Sequence, residues 1–405
     1  MRRPPASRPD LPYTPASVEA VREALRVVLA DDGRVFRLPA GVGEDEFLAA
    51  ADRHRVVVFL SMHLDRLDLP TAVTEELRSR GRRGRLPCLL MAHDLHRALE
   101  VLATAGVRAL TVKGVALAAQ AYGDYTARGS GDLDLLVPPD QVEAAHGALR
   151  SAGWLPAGAY PAPGPAWAWR FTVRNYCELP LSGQGVSVDL HWHLATAHDA
   201  FPGFDELWDR RVLVDVGGRD VATLGIRDAL EHSASHAAKD DWAWLRSVLD
   251  VHLLTGATDG SALLATSARR RTAAAAAWLL ASEPVGRPPG LGLVLSRQAA
   301  DAEVSVGRFP GHRTLVGLRR SSRDVRSAAD TRRVLAVTVF HPSELGGIEA
   351  PDAFRGVAAA VAVRTRAFRD RARQWRRPGT RPSSGRRRAG TEDGPAATPR
   401  ARPRC

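Results

Sequence analysis

Between Ala109 and Ala152 the pattern of apolar and polar positions changes type several times within a few residues. Ala109–Val112 is a short apolar run of strand length, and 114–121 reads as a short helix. Leu133–Val137 is a second run that reads as a buried strand. The segment 139–152 is amphipathic, with Val142, Ala145, Leu149 and Ala152 on one face, proline in its first turn and a stop at Gly153. The Pro- and Trp-rich stretch 159–169 reads as loop. Segments 170–179 and 185–193 read as two antiparallel strands joined by a turn at Ser182–Gly185. Before this block the spacing is helical at 17–29, 44–54 and 87–105. Met91, Leu95, Ala98, Leu99 and Leu102 form the clearest stripe, which Gly106 ends. After it, 227–254, 261–282 and weaker segments to about Trp375 are again helical. These elements predict an α+β fold: a small mixed β-sheet core at 106–215, an N-terminal helical region at 1–105 and a C-terminal helical region at 216–376. Residues 377–405, rich in Arg, Pro, Ser and Gly, are expected to be a disordered tail.

Charge sharpens this division. The chain of 405 residues carries a net +11. Residues 364–405 hold 14 arginines against Asp370, Glu392 and Asp393, so the whole excess lies at that end and the other 363 residues are neutral. The tail is expected to attract polyanions weakly through phosphate charge. Arginine is so common, beside Ala and Gly, that it suggests a GC-rich genome, whereas lysine occurs only at Lys113 and Lys239. A lysine therefore carries more weight here than an arginine. No apolar run reaches the roughly 20 residues that span a bilayer, and the basic start has no apolar segment behind it. Cys88, Cys177 and Cys405 are far apart and odd in number, which points to a reducing, cytoplasmic setting without a paired-cysteine metal knuckle.

The candidate chemistry is concentrated in Gly131-Asp132-Leu133-Asp134-Leu135-Leu136-Val137. Carboxylates two apart on a strand share a face. The apolar residues behind them anchor the pair at the mouth of a core. Two acids held this way repel unless a cation lies between them, and oxygen donors suit Mg²⁺ or Mn²⁺. Asp189, on a later strand candidate, supplies a third carboxylate of the kind a two-metal site needs. On this view Asp132, Asp134 and Asp189 are the catalytic and metal-holding residues, and neutralising one costs little stability because the three repel. Val112-Lys113-Gly114 ends a strand and opens a helix, where backbone N–H groups can approach a phosphate. Lys113, Gly114, Arg128 and Ser130 are thus candidate nucleotide contacts. His191, His232 and His236 are candidate lining for an acceptor pocket. Asp189, His191 and His193 alternate on one strand and also admit a zinc-type site.

These motifs resemble the polymerase-beta-type nucleotidyltransferase superfold. More narrowly, they are similar to a group of bacterial nucleotidyltransferase-like proteins, most of them uncharacterised. The resemblance rests on Val112-Lys113-Gly114, Tyr122, Arg128, the Gly131–Val137 run, Gly153-Trp154 and Val188-Asp189-Leu190-His191-Trp192, then on His232, His236, Trp242, Leu245 and Asp250. It covers about residues 87–255. Where the broader superfold carries Gly-Ser, this chain has Gly114-Val115, which leaves Ser130 as the nearby hydroxyl. The resemblance implies metal-dependent transfer of a nucleoside monophosphate from an NTP to an acceptor hydroxyl or phosphate, with release of pyrophosphate. The alternative is a protein of the same fold that binds a nucleotide or nucleic acid without chemistry.

Overall fold

The computed structural model describes residues 12–257, except 31, 158, 159, 184 and 241, and residues 325–376. The expected helix at 261–282 and the tail at 377–405 lie outside the described residues.

The N-terminal region is helical, as its spacing predicts. Helix α1 (Pro15–Leu29) starts earlier than the apolar stripe suggests, because Thr14 caps it. Ser17 N–H donates to Thr14 Oγ1 at 3.2 Å and Thr14 N–H to Ser17 Oγ at 2.9 Å, a reciprocal capping box, with Pro15 in the first turn. After the two-residue strand β1 (Phe36–Arg37) comes α2 (Glu44–Arg53), whose first turn carries Glu44, Asp45 and Glu46 against the positive end of the helix. A short α3 (Val57–Ser61) and strand β2 (Leu67–Asp68, parallel to β1) lead into α4 (Thr71–Thr104). The expected helix start at Pro87 is corrected here: α4 runs straight through it. The missing amide hydrogen bond is outweighed by packing at both ends, with Val73 and Leu77 in one core and Met91, Leu95 and Leu102 in another. Gly81 lets α3 and α4 cross closely, since a Cβ there would overlap Ser61 Oγ.

The central sheet is larger than the sequence pattern suggests. Strand β3 (Leu110–Thr111), helix α5 (Gly114–Tyr122), β4 (Asp132–Leu136) and α6 (Val142–Ser151) follow the expectation closely, with a 3₁₀ turn at Pro139–Gln141 before α6. Beyond β5 (Leu155–Pro156) comes a correction. Trp167–Asn175 is helix α7, where strand and loop were expected. Phe171-Thr172-Val173 has strand-like residue types, but Trp167 and Ala168 share a small core with Leu345 and Ala360 that rewards the helical face. Strands β6 (Glu178–Ser182) and β7 (Ser187–His191) form the expected antiparallel pair. After the short α8 (Phe204–Asp209), strands β8 (Val212–Asp215) and β9 (Asp220–Thr223) form a hairpin around Gly217-Gly218. The sheet order is β5-β6-β7-β4-β3-β9-β8, with β4–β7 and β3–β9 parallel. The sheet therefore extends past residue 215.

The segment 227–254 is two helices, α9 (Ile226–Lys239) and α10 (Leu245–Gly256), separated where Trp242 takes a left-handed φ of 56°. Helices α11 (Ala328–Val339) and α12 (Ala353–Arg376) follow, and both contact α7. Among the described residues no helix is long and apolar enough to cross a membrane.

Side-chain alternation assigns the sheet's two faces. Leu133, Leu135, Val137, Val188 and Leu190 join Met91, Leu95 and Leu149 in one core. Leu110, Val112 and Leu136 join the other core, where α1–α3 meet α9 and α10. The two helical flanks thus share a core. His54 joins them: its buried Nδ1 accepts the Leu245 N–H at 3.2 Å and its carbonyl accepts that of Arg246 at 3.2 Å, capping α10 from another helix. Burial, with Arg53 and Arg22 nearby, pushes the His54 imidazole down to about 3. The unfolded chain, with an ordinary histidine near 6.5, binds the extra proton between these values, so stability is complete above about pH 6.5 and falls below it. Between pH 7 and pH 5 this one group should cost about 2 kcal/mol. Urea unfolding at the two pH values should show that loss in the wild type and a smaller one in His54→Gln.

Candidate functional site

Strands β4 and β7 run in parallel register, with Asp134 beside Asp189 and Leu136 beside His191. On the far side of β7, Glu178 of β6 pairs with His191. Alternation turns Leu133, Leu135, Val188 and Leu190 into one core. It turns Asp132, Asp134, Asp189, His191 and Glu178 toward one cavity of about 620 Å³ between the sheet and helices α9 and α10. Ligand atoms of Asp134, Asp189 and His191 lie within 4.8 Å of one another. Asp132 lines the same cavity but stands outside this trio.

Lys113 is held inside the cluster. It occupies the N-cap position of α5, and its Nζ donates to Asp134 Oδ1 at 2.9 Å. His191 Nε2 approaches the same oxygen at 3.1 Å. Burial alone would raise the Asp134 carboxyl, but the Lys113 ammonium and the His191 bond outweigh it and hold Asp134 well below the usual carboxylate range. Asp189 has no such partner among the described residues. Burial, together with Glu178, pushes it up to about 6. Burial and Asp134 also raise Asp132. Burial opposes the charge on His191, but the Asp134 bond and Glu178 raise it overall. Glu178 Oε2 comes within 3.3 Å of His191 Nδ1 without hydrogen-bond alignment. Mutual repulsion therefore describes Asp132 and Asp189. For Asp134 the expectation of costless neutralisation is corrected, because that carboxylate is ion-paired.

Gly114 is left-handed, with φ at 59°, and a Cβ on it would lie 3.1 Å from Ser130 Oγ and 3.4 Å from the Asp132 carbonyl oxygen. Glycine is required twice over, by backbone and by space. Gly114→Ala should cost about 1–2 kcal/mol and shift the entry to β4, read as a lowered Tm. Ser130 Oγ, 3.3 Å from the Asp132 carbonyl oxygen, lies where the opening of α5 meets that entry.

Arg128 has a different local role from the phosphate clamp anticipated. Its Nε and Nη2 donate to the two carboxylate oxygens of Asp250 at 2.7 and 2.9 Å, and Tyr122 Oη donates to Asp250 Oδ1 at 2.6 Å. Arg128 still borders the cavity, but its fork is committed to tying the 129–131 loop to α10. His232 and His236 line the wall opposite the acids, and burial and then the Lys113 charge depress both well below the ordinary histidine value. His193 departs from the strand site: it lies beyond the end of β7 and stacks on His198 with centroids 3.5 Å apart.

The structure adds Glu178, Arg246 and Arg55 to the cavity. Glu178 was findable, since it is the polar position in an alternating run directly antiparallel to the Asp189 strand. The two arginines carried no signal in so arginine-rich a chain.

No curated protein matched the chain. A model of a family described as an uncharacterised nucleotidyltransferase matches residues 40–283, which is 244 of 405 and contains every site residue described above. The parallel β4–β7 pair with its facing acids, the glycine corner at the start of α5 and this match agree: the chain belongs to that nucleotidyltransferase family.

Proposed function

We propose that the protein transfers a nucleoside monophosphate from an NTP to an acceptor hydroxyl or phosphate, releasing pyrophosphate, with Mg²⁺ or Mn²⁺ as its metal. The observation that carries this reading is the in-register pair Asp134 and Asp189 on adjacent parallel strands, with His191 completing a group of ligand atoms within 4.8 Å. The donor set fits a divalent cation. Asp132, Asp134, Glu178 and Asp189 all face the cavity around the Lys113 ammonium, and oxygen donors of this kind suit Mg²⁺ or Mn²⁺. When bound, the cation supplies the charge that lets carboxylates and phosphates occupy one cavity.

The chain's own residues divide the remaining work. Asp134 and Asp189 would hold the metal, with Asp132 at the cavity edge on the nucleotide side. Gly114 lines the cavity where α5 begins, and backbone N–H groups at that helix start would meet phosphate oxygens. Lys113 holds Asp134 ionised and, lining the same cavity, would also give its ammonium to a phosphate. Asp189, on the strand beside Asp134 and facing the same cavity, would also accept the acceptor's proton. His191 orients Asp134 from the side of β7. His232 and His236, kept neutral, would line the acceptor side.

The Lys113–Asp134 ion pair favours a second reading, nucleotide binding without chemistry, because a cation already neutralises the central carboxylate. Thermal stabilisation by each of the four NTPs, with Mg²⁺, Mn²⁺ or EDTA, separates the two. The transferase should be stabilised by NTP and metal together and far less by either alone. Stabilisation by NTP that EDTA leaves unchanged would support the binder.

A further inference from the structure

We propose that Arg246 and Arg55 form a second phosphate-recognising position in this cavity, set apart from the Gly114 corner. Arg246 stands in the first turn of α10 and lines the cavity, and its Nε is buried without a hydrogen-bond partner. Among the described residues its one side-chain bond, from Nη1 to the Gly129 carbonyl oxygen, is long at 3.4 Å. Among the described residues neither Arg246 nor Arg55 has a carboxylate within ion-pair distance, whereas Lys113 and Arg128 are both paired. Burial and like charge from Arg128 and Arg55 lower Arg246 to about 10, which the Asp250 carboxylate beyond ion-pair distance only partly offsets. Arg246 is half-buried, and a guanidinium with a buried, unpartnered Nε beside other cations gains when an anion joins it.

Arg55 is held there at a backbone cost. It closes α2 with a left-handed φ of 58°, a position glycine fills more easily, while Val56 N–H bonds back to the Ala51 carbonyl oxygen at 3.1 Å. Its guanidinium lies 4.5 Å from the centre of the Trp244 ring, which carries Arg53 at 4.1 Å as well. Trp244 is the N-cap residue of α10 and also lines the cavity, so one indole gathers arginines around the Arg246 turn. A planar fork with free donors is the group that phosphate oxygens match best. The choice of phosphate rests on the transferase reading. The site itself rests on the unpaired arginines.

The test is calorimetric titration of the full chain with inorganic tripolyphosphate in EDTA, which needs neither metal nor turnover. Wild type should bind, and Arg246→Met should weaken binding by about 10-fold or more, the worth of a charge-assisted hydrogen bond. Arg246→Met should also melt no lower than wild type, because it removes a repelled charge. Should it melt lower, Arg246→Lys, which keeps the charge without the fork, carries the same comparison. Arg55→Gly should raise Tm by relieving the backbone yet weaken tripolyphosphate binding. Displacement of tripolyphosphate by an NTP would assign the position to the triphosphate. Binding of inorganic phosphate alongside saturating NTP, lost in Arg246→Met, would assign it to a phosphate on the acceptor. Absent binding in wild type, or unchanged affinity in folded Arg246 variants, overturns the proposal. Asp189→Asn keeps the two readings separable: tripolyphosphate binding should survive it, so failure of nucleotidyl transfer alone would leave this site standing.

Discussion

Asp250→Ala should destabilise the protein by about 3–5 kcal/mol, the cost of leaving one member of a buried ion pair without the other. Asp250 is 3% exposed and receives three hydrogen bonds, two from Arg128 and one from Tyr122. Removing it strands the largely buried Arg128 guanidinium and the Tyr122 hydroxyl together at the edge of the cavity. Tyr122→Phe deletes only one of the bonds and should cost about 1–2 kcal/mol. The pair also ties α10 to the loop before β4, so the alanine variant should lose NTP-dependent stabilisation along with Tm. Urea unfolding of wild type, Tyr122→Phe and Asp250→Ala orders the three. Equal stability of Asp250→Ala and wild type would show that Arg128 finds another anion.

Asp134→Asn and Asp189→Asn should have similar effects on chemistry and opposite effects on stability. Each removes a charged oxygen donor that the proposed reaction needs, and a loss of several kcal/mol of transition-state stabilisation lowers nucleotidyl transfer by about 10³-fold or more. In stability they part. Asp134→Asn leaves the Lys113 ammonium without its counter-charge and weakens the His191 bond, so it should cost about 3 kcal/mol in metal-free buffer. Asp189 has no ion pair among the described residues, and burial and Glu178 push it up more than nearby His191 holds it down, so neutralising it should hold or raise Tm. A fall in Tm for Asp189→Asn comparable to that for Asp134→Asn would mean that Asp189 is a structural acceptor.

How far the sequence reveals this arrangement depends on whether a feature is local. The strand β4 with its two acids was legible because alternation and an apolar anchor lie within seven residues. Asp189 was legible because its strand has the same alternation. Lys113 was conspicuous for its rarity, and the structure places it at Asp134. What the pattern hid is tertiary. Trp167–Asn175 has residues suited to a strand and becomes a helix because a partner more than 160 residues away covers one face. Pro87 looks like a helix start but sits inside a 34-residue helix braced at both ends. The Gly217-Gly218 hairpin carries an ordinary turn signal, yet its strands are short and half exposed, so they lack the apolar run that marks the others. Arg128 shows the limit most clearly. Its position in the motif was visible, but the carboxylate that occupies its fork is 122 residues away on α10.

The most direct test of the central claim is Mn²⁺ binding followed by electron paramagnetic resonance, with and without NTP, in wild type, Asp134→Asn and Asp189→Asn. The account predicts that wild type immobilises Mn²⁺, more strongly when NTP is present, and that both variants leave most of it free in solution. Equal Mn²⁺ binding in all three proteins, or none in wild type with any NTP, would contradict it.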